Sequence, residues 1–330
     1  MHCVIDENQP VVSIGLPVFN GENYIEETIR HILDQSYTDF ELIITDNAST
    51  DKTREICLDY ASRDQRIKYY RSQSNLGAIR NFNWCFLLSH GKYFKWAAHD
   101  DLLLPNYLLS CIEVLEREPG IVLCHAKTNV ISQTGACLQY YDVSLPDADS
   151  PKPQNRFGSV ILVDHLNYVF FGVIRSIALR NTPLLLTHIG SDKTLVAELA
   201  LMGKFYEIPE FFFLSRDHPA RSMRAFADVR ARGLWFDPRN SGKRNFPHWR
   251  VLWEYYQCVK RSSLNAGERW GCYLKLLQWL GVSLNWGRLI EDICVATVPA
   301  SKAGFLNLRS LLKQYGLLRN PDSLPEKFLK

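Results

Sequence analysis

Nowhere in this 330-residue chain do about 18 uncharged apolar residues follow one another, so it offers no segment fit to cross a bilayer, although 46% of it is hydrophobic. A surplus of one charge is missing too. Lys and Arg number 38 against 35 Asp and Glu, net +3, which is too slight for the basic stripe that nucleic acid binding needs and excludes RNA and DNA as partners. The nine cysteines, among them Cys3, Cys57, Cys85, Cys111 and Cys258, contain no CxxC pair, and several fall on apolar positions; they read as reduced core residues. The opening MHCVIDENQP is too polar for a secretory signal, so a reducing cytoplasm is the expected compartment. No internal repeat is present, and no glycine-rich phosphate loop follows the first apolar run.

What is present is an alternation. From Val11 to His125 short apolar runs (Val11 to Leu16, Phe40 to Thr45, Ile67 to Tyr70, Tyr93 to Ala97, Ile121 to His125) alternate with amphipathic stretches, the sequence form of repeated βαβ units. Glu22 to Gln35 carries Ile25, Ile29, Ile32 and Leu33 at helical spacing, and Asp51 to Ala61, Leu76 to Leu88 and Pro105 to Arg117 repeat the pattern. A hairpin is expected around Gln133 to Ala136 and a loop from Ser144 to Phe157. A helix from Asp192 to Gly203 and strands near Phe205 to Ile208 and Phe211 to Ser215 close the first unit. The expected class is an α/β open sheet, mostly parallel and mixed at its edge, flanked by helices, over residues 1–220. Residues 221–330 form a helical, tryptophan-rich appendage. Trp235, Trp249, Trp253, Trp270, Trp279 and Trp286 sit there among basic residues, and two readings compete: an aromatic face packed on the first unit, or an interfacial helix making peripheral contact with a membrane.

The segment Gly91 to Asp101, GKYFKWAAHDD, runs an apolar strand into two adjacent carboxylates that a buried sheet would not tolerate, so Asp100 and Asp101 belong at a strand end. In a parallel sheet that is the crevice where a hard cation and its phosphates bind. At the end of the first run, Pro17, Phe19, Asn20 and Gly21 offer an aromatic face and backbone groups, which suit a flat base better than a pyrophosphate. At the end of the second, Asp46 can accept the imide N–H of uracil or thymine, while Asn47 to Asp51 also has the composition of a turn and a helix cap.

Taken in order and spacing, Pro17 to Asn20, Asp46 to Thr53, Asn75 to Asn81 and Asp100-Asp101 resemble the family 2 glycosyltransferases, inverting enzymes of the GT-A fold, over roughly residues 10–220. The resemblance implies that Asp46 holds the pyrimidine, that Phe19 and Asn20 border base and ribose, and that Asn75, Gly77 and Arg80 lie beside the donor. It implies Mg²⁺ or Mn²⁺ on Asp100, with His218 completing the metal shell or touching the diphosphate, and Asp101 toward the acceptor. Two residues before Asp100, where the family carries a further carboxylate, this chain has Ala98. Asp192 matches the family's catalytic base at a helix start; its plain structural role is a first-turn carboxylate beneath a Ser191 cap, and Glu198 is the alternative base. Arg175, after the aromatic run Phe170-Phe171, falls on the acceptor side.

The implied activity is transfer of a hexosyl, N-acetylhexosaminyl or deoxyhexosyl group from a UDP- or dTDP-sugar to a hydroxyl of a glycan or lipid-linked glycan, in surface polysaccharide biosynthesis. A sugar nucleotidyltransferase would need a basic, glycine-rich loop where Pro17 to Gly21 stands. A non-catalytic nucleotide-sugar binder or scaffold is the rival from another class, favoured by Ala98.

Overall fold

A computed structural model describes residues 9–225, 229–241 and 246–297. The apolar runs become strands because most are apolar on both faces and need cover on both. Along the chain come β1 (Val12–Val18), α1 (Ile25–Leu33), β2 (Phe40–Asp46), α2 (Thr53–Arg63), β3 (Ile67–Arg71), α3 (Ala78–Leu87), β4 (Tyr93–Trp96), β5 (Leu102–Leu103) and α4 (Tyr107–Arg117). Then follow β6 (Ile121–Ile131), β7 (Cys137–Tyr141), α5 (Pro153–Leu162), β8 (Val173–Arg175), α6 (Ser176–Arg180), α7 (Ser191–Met202) and β9 (Lys204–Arg216). The C-terminal helices are α8 (Ser222–Ala225), α9 (Val229–Phe236), α10 (Pro247–Arg261), α11 (Ala266–Gly281) and α12 (Asn285–Thr297).

Among the described residues the strands form one curled sheet in the order β3-β2-β1-β4-β8-β6-β9-β5, with β7 added to β6. β3, β2, β1 and β4 are mutually parallel, so their carboxyl ends share one edge. On α1, Ile25, Ile29 and Ile32 are buried, each worth about 1.5–3 kcal/mol over an exposed position. Pro17 lies inside β1 at no cost in sheet bonds to β4, whose pairing with β1 stops at Gly15–Trp96.

Three expectations change. The sheet is mixed in its interior as well as at its edge, because β8 inserts antiparallel between β4 and β6. Phe205 to Ile208 and Phe211 to Ser215 are one strand, β9, bent by a register shift against β6 around Pro209, which has no N–H to give the ladder. The polar stretch after Ser144 turns into α5 at Pro153, which sits in the helix's first turn, where its missing N–H is no loss.

The C-terminal helices share a core with the sheet. Tyr255, Cys258, Val259, Cys272, Leu276 and Trp279 lie in one buried cluster with Leu123, Phe170, Leu195 and Phe205, so a common core crosses the expected boundary at 220. The cysteines at 57, 85, 111, 124, 137, 258 and 272 are free thiols, all buried except Cys137. No described helix is long and apolar enough to cross a membrane.

Lys95 on β4 is fully buried; its Nζ donates to the Phe171 carbonyl and lies 4.6 Å from the Tyr107 ring centroid. Burial, opposed by Cys111 and Asp101, brings its pKa down to about 7. An unfolded lysine keeps its proton to about pH 10.4, so folding expels a proton between these two values and stability should rise with pH across that window. Thermal melts at pH 7 and pH 9 should show this rise in the wild type and a flatter profile, with a higher Tm at pH 7, in Lys95→Met. Equal pH slopes in the two proteins would contradict it.

Candidate active site

Two turns are laced together at the ends of β1 and β2. Asn20, at φ 51°, accepts the Thr50 N–H at 2.8 Å, and its own N–H donates to Ser49 Oγ at 2.9 Å. The Gly21 N–H donates to Thr53 Oγ1 at 2.8 Å, and Glu22 and Asp51 cross-link the helix starts that follow. Phe19 projects from this turn, 42% exposed.

Asp46 is wholly covered, and its carboxylate takes the Ser49 N–H at 2.8 Å, the Tyr69 hydroxyl at 2.6 Å and Arg71 Nε at 3.2 Å. A base edge reaches it only by displacing one of these donors. Asn47 ties in the third turn, accepting the Leu76 N–H at 2.7 Å and donating to Asn75 Oδ1 at 2.9 Å. Gly77, at φ 84°, is covered by the chain itself: a Cβ there would stand 2.7 Å from the Phe236 carbonyl. Arg80, in the first turn of α3, lies in the field of Asp237 from the same covering segment.

Asp100 and Asp101 stand between β4 and β5, as the strand-end reading requires. Thr28 Oγ1 of α1 donates to the carbonyls of His99 and Asp101, pinning the turn. His218, beyond the end of β9, brings Nε2 to 2.8 Å from Asp100 Oδ2, with its ring 4.8 Å from that of Tyr24. Burial works to raise the Asp100 carboxyl, and His99 and His218 outweigh it, leaving Asp100 below the usual carboxylate range. Asp101 is pushed up to about 7 by burial and by the charge of Asp100, while accepting the Arg216 N–H at 2.8 Å. Arg216 itself is 1% exposed and binds four elements at once: Nε to the Asp100 carbonyl at 3.0 Å, Nη1 to the Gln133 carbonyl at 2.8 Å, Nη2 to Glu27 at 2.7 Å, and its guanidinium over Tyr24 at 4.9 Å.

Asp192 lies in the first turn of α7, which opens with Ser191 after Gly190 in the left-handed conformation. Ser191 does not cap this helix: its Oγ is buried and has no hydrogen-bond partner among the described residues, and Gly190 occupies the cap position. Asn167 Nδ2 donates to Asp192 Oδ2 at 2.8 Å. Asn167 Oδ1 and His188 Nε2 are likewise buried and unpartnered among the described residues. Buried polar atoms left without a partner cost about 1–3 kcal/mol each, and three of them lie on Asn167, which bonds Asp192, on Ser191 beside it, and on His188, which feels its charge. The residue after Asn167, Tyr168, packs with Arg221, whose guanidinium carbon is 5.9 Å from the ring centroid; Arg221 in turn feels the charges of Asp101 and Asp100.

Glu198 is engaged elsewhere: it is buried and forks with Arg261 of α10, Nη2 to Oε2 at 2.6 Å, which fastens α7 to the C-terminal helices. The acceptor-side reading of Arg175 is corrected. Arg175 pairs with Tyr93, the first residue of β4, so it sits at the amino edge of the sheet, away from the crevice. There its guanidinium takes the carbonyls of Ile121 at 2.7 Å and Leu115 at 2.5 Å, closing the end of α4. The aromatic run before it is core, with Phe170 stacked on Trp96 at 4.8 Å.

Sequence reading missed Tyr69, Arg71, Asn167 and Arg221. Only Arg71 carried a signal, a cation at the carboxyl end of the third strand, IKYYR. For Asn167, 25 residues before its partner, sequence offers none.

A family model for glycosyl transferase family 2 matches residues 13–167. An uncharacterized glycosyltransferase of Rickettsia typhi is 36% identical over 118 residues, covering 35% of this chain and 36% of that protein. A putative teichuronic acid biosynthesis glycosyltransferase of Bacillus subtilis is 38% identical over 93 residues, covering 28% of this chain and 37% of that one. This chain therefore spans just over a third of the length of these curated relatives. In fold it is similar to residues 1–349 of S. aureus TarS, solved with UDP-GlcNAc, at a TM-score of 0.59 and 14% identity over 85% of this chain and 79% of that one. It is also similar to the mannosyltransferase PcManGT from Pyrobaculum calidifontis, solved with GDP-Man and Mn²⁺, at a TM-score of 0.53 and 14% identity over 94% and 82%. The ordered turns along the carboxyl edge and the sequence comparison point the same way: residues 13–167 of this chain match the model of glycosyl transferase family 2.

Proposed function

We propose that the chain is an inverting glycosyltransferase that moves a sugar from a UDP- or dTDP-sugar onto a hydroxyl of a glycan or lipid-linked glycan. The observation that carries this reading is that Asp46 and the Asp100–His218 pair stand at the carboxyl ends of the parallel strands β2 and β4, the edge on which we place the donor, with Asp192 in the first turn of α7 as the base. Base and ribose lie against Phe19 and Asn20, and the base edge takes the place of the Arg71 donor on Asp46.

Asp100 Oδ2 and His218 Nε2, hydrogen-bonded at 2.8 Å, would hold Mg²⁺ or Mn²⁺ once the proton between them is given up. Among the described residues no third such side chain joins them, so a cation held there would need donor phosphate oxygens and water for its other positions. The chemistry such a cation would supply is neutralisation of charge on the departing diphosphate. Asn167 fixes Oδ2 of Asp192, so that Oδ1 accepts the acceptor's proton as its oxygen attacks the anomeric carbon. The bond from that carbon to the diphosphate oxygen breaks in the same step, and its electron pair leaves with the nucleotide.

The name of the Bacillus subtilis relative, a putative teichuronic acid biosynthesis glycosyltransferase, supports a role in polysaccharide biosynthesis; we place that role in the cytoplasm, with peripheral contact at the inner face of the membrane. Ala98, which removes one carboxylate from the acidic motif, favours a second reading, a nucleotide-sugar binder without turnover. Incubating the protein with Mn²⁺ and a panel of UDP- and dTDP-sugars should release free UDP or dTDP, faster with an added glycan acceptor and not at all with a chelator. Tight donor binding with no release under any acceptor would establish the binder instead.

A further inference from the structure

Three helices carry the same uncovered pattern. On α10, Trp249, Trp253 and Tyr256 are all exposed, at positions i, i+4 and i+7, which lie on one stripe of a helix. The spacing recurs on α11 from Trp270 to Leu277 and on α12 from Trp286 to Ile293, with exposures of 38% to 65% over the nine residues. The opposite faces of these helices contribute Tyr255, Cys258, Cys272, Leu276, Trp279 and Leu289 to the core, while the stripes are exposed. The stripes adjoin: Tyr256 stacks on Tyr273 of α11 at 5.8 Å, and Trp249 Nε1 donates to the Leu289 carbonyl of α12 at 2.9 Å. Single exposed apolar residues are ordinary, whereas a patch spread over three adjoining helices marks an interaction surface.

Charge selects the partner. Residues 1–220 hold 19 Lys and Arg against 27 Asp and Glu, net −8, while residues 221–330 hold 19 against eight, net +11. Helices α10 to α12 themselves, residues 247–297, hold six Lys and Arg against four Asp and Glu, so most of that excess lies elsewhere in the 221–330 segment. A glycan would find hydroxyl-bonding groups missing on Leu274, Leu277, Ile290 and Ile293. Apolar stripes headed by tryptophan on a cationic unit fit the boundary between headgroups and acyl chains of an anionic bilayer, where the indoles settle and the Lys and Arg meet acidic lipid.

We infer that the face formed by α10, α11 and α12 docks the protein in-plane on an anionic lipid surface. This rests on the proposed transferase reading for its purpose, which is to hold the crevice near lipid-linked acceptors, but its test does not. The full chain is floated with vesicles of phosphatidylcholine alone and of phosphatidylcholine with phosphatidylglycerol. It should rise with the anionic vesicles, not with the neutral ones, and binding should weaken as salt is raised. Leu277→Glu and, separately, Ile290→Glu should each weaken binding about tenfold or more. Both residues are exposed, so the variants should keep the wild-type melting curve and, with a water-soluble acceptor, the wild-type turnover. A wild type that stays down with anionic vesicles, variants that float equally well, or a dimer that Leu277→Glu dissociates would each overturn the inference. Failure of turnover with intact vesicle binding would instead count against the transferase reading.

Discussion

Replacing Asp192 by asparagine should lower the turnover number by roughly 10²–10⁴-fold, the range a positioned general base contributes, while calorimetric binding of the donor nucleotide stays unchanged. The substitution keeps the size of the side chain, and the new amide can still bond Asn167 by a turn of either group, so helix α7 should hold its place. What it removes is the lone pair that takes the acceptor's proton. Glu198→Gln is the matched control. It breaks the buried fork to Arg261 and should lower the melting temperature, yet act on turnover only through folding. If Asp192→Asn turned over normally, the assignment of the base would be wrong. If Glu198→Gln abolished turnover in a fully folded protein, the base would be Glu198.

Arg216→Met should destabilise the fold by about 3–5 kcal/mol, the cost of leaving a buried charge network without one partner. The loss arises because Arg216 is the common tie of α1, the β6–β7 hairpin, the Asp100 turn and the end of β9, and because methionine satisfies none of the carbonyls and carboxylates it serves. Denaturant melts at constant slope should show the shift in midpoint, and the surviving folded protein should bind Mn²⁺ and nucleotide more weakly, since the turn carrying Asp100 loses its brace. A change below about 1 kcal/mol would mean that Arg216 merely fills space.

The first half of the sheet was legible because β1, β2 and β4 are continuous apolar runs, which only a sheet covered on both faces accommodates. Asp100 and Asp101 were legible for the converse reason: adjacent carboxylates cannot stay inside such a sheet. β8 was not, since its three residues continue an aromatic run and carry no period of their own. Arg175 was placed by its position after the aromatic run and by the resemblance, neither of which reveals that β8 sets it beside Tyr93 at the amino edge. Pro209 suggested two strands where β9 bends and carries on. Asp46 was placed at its strand end by pattern, but Tyr69 and Arg71, which cover it, follow from register between β2 and β3, which no local signal encodes. The orphaned atoms around Asp192 come from segments 167, 188 and 191, joined only by folding.

The proposed chemistry puts the departing diphosphate and the proton-accepting carboxylate on opposite sides of one sugar carbon. The configuration of that carbon in the product is therefore the most direct test, read from the anomeric proton coupling in an NMR spectrum of the glycan made from an α-linked donor. The account predicts a β linkage. An α linkage would contradict it, because a single displacement driven by Asp192 cannot return the bond to the face from which the nucleotide left.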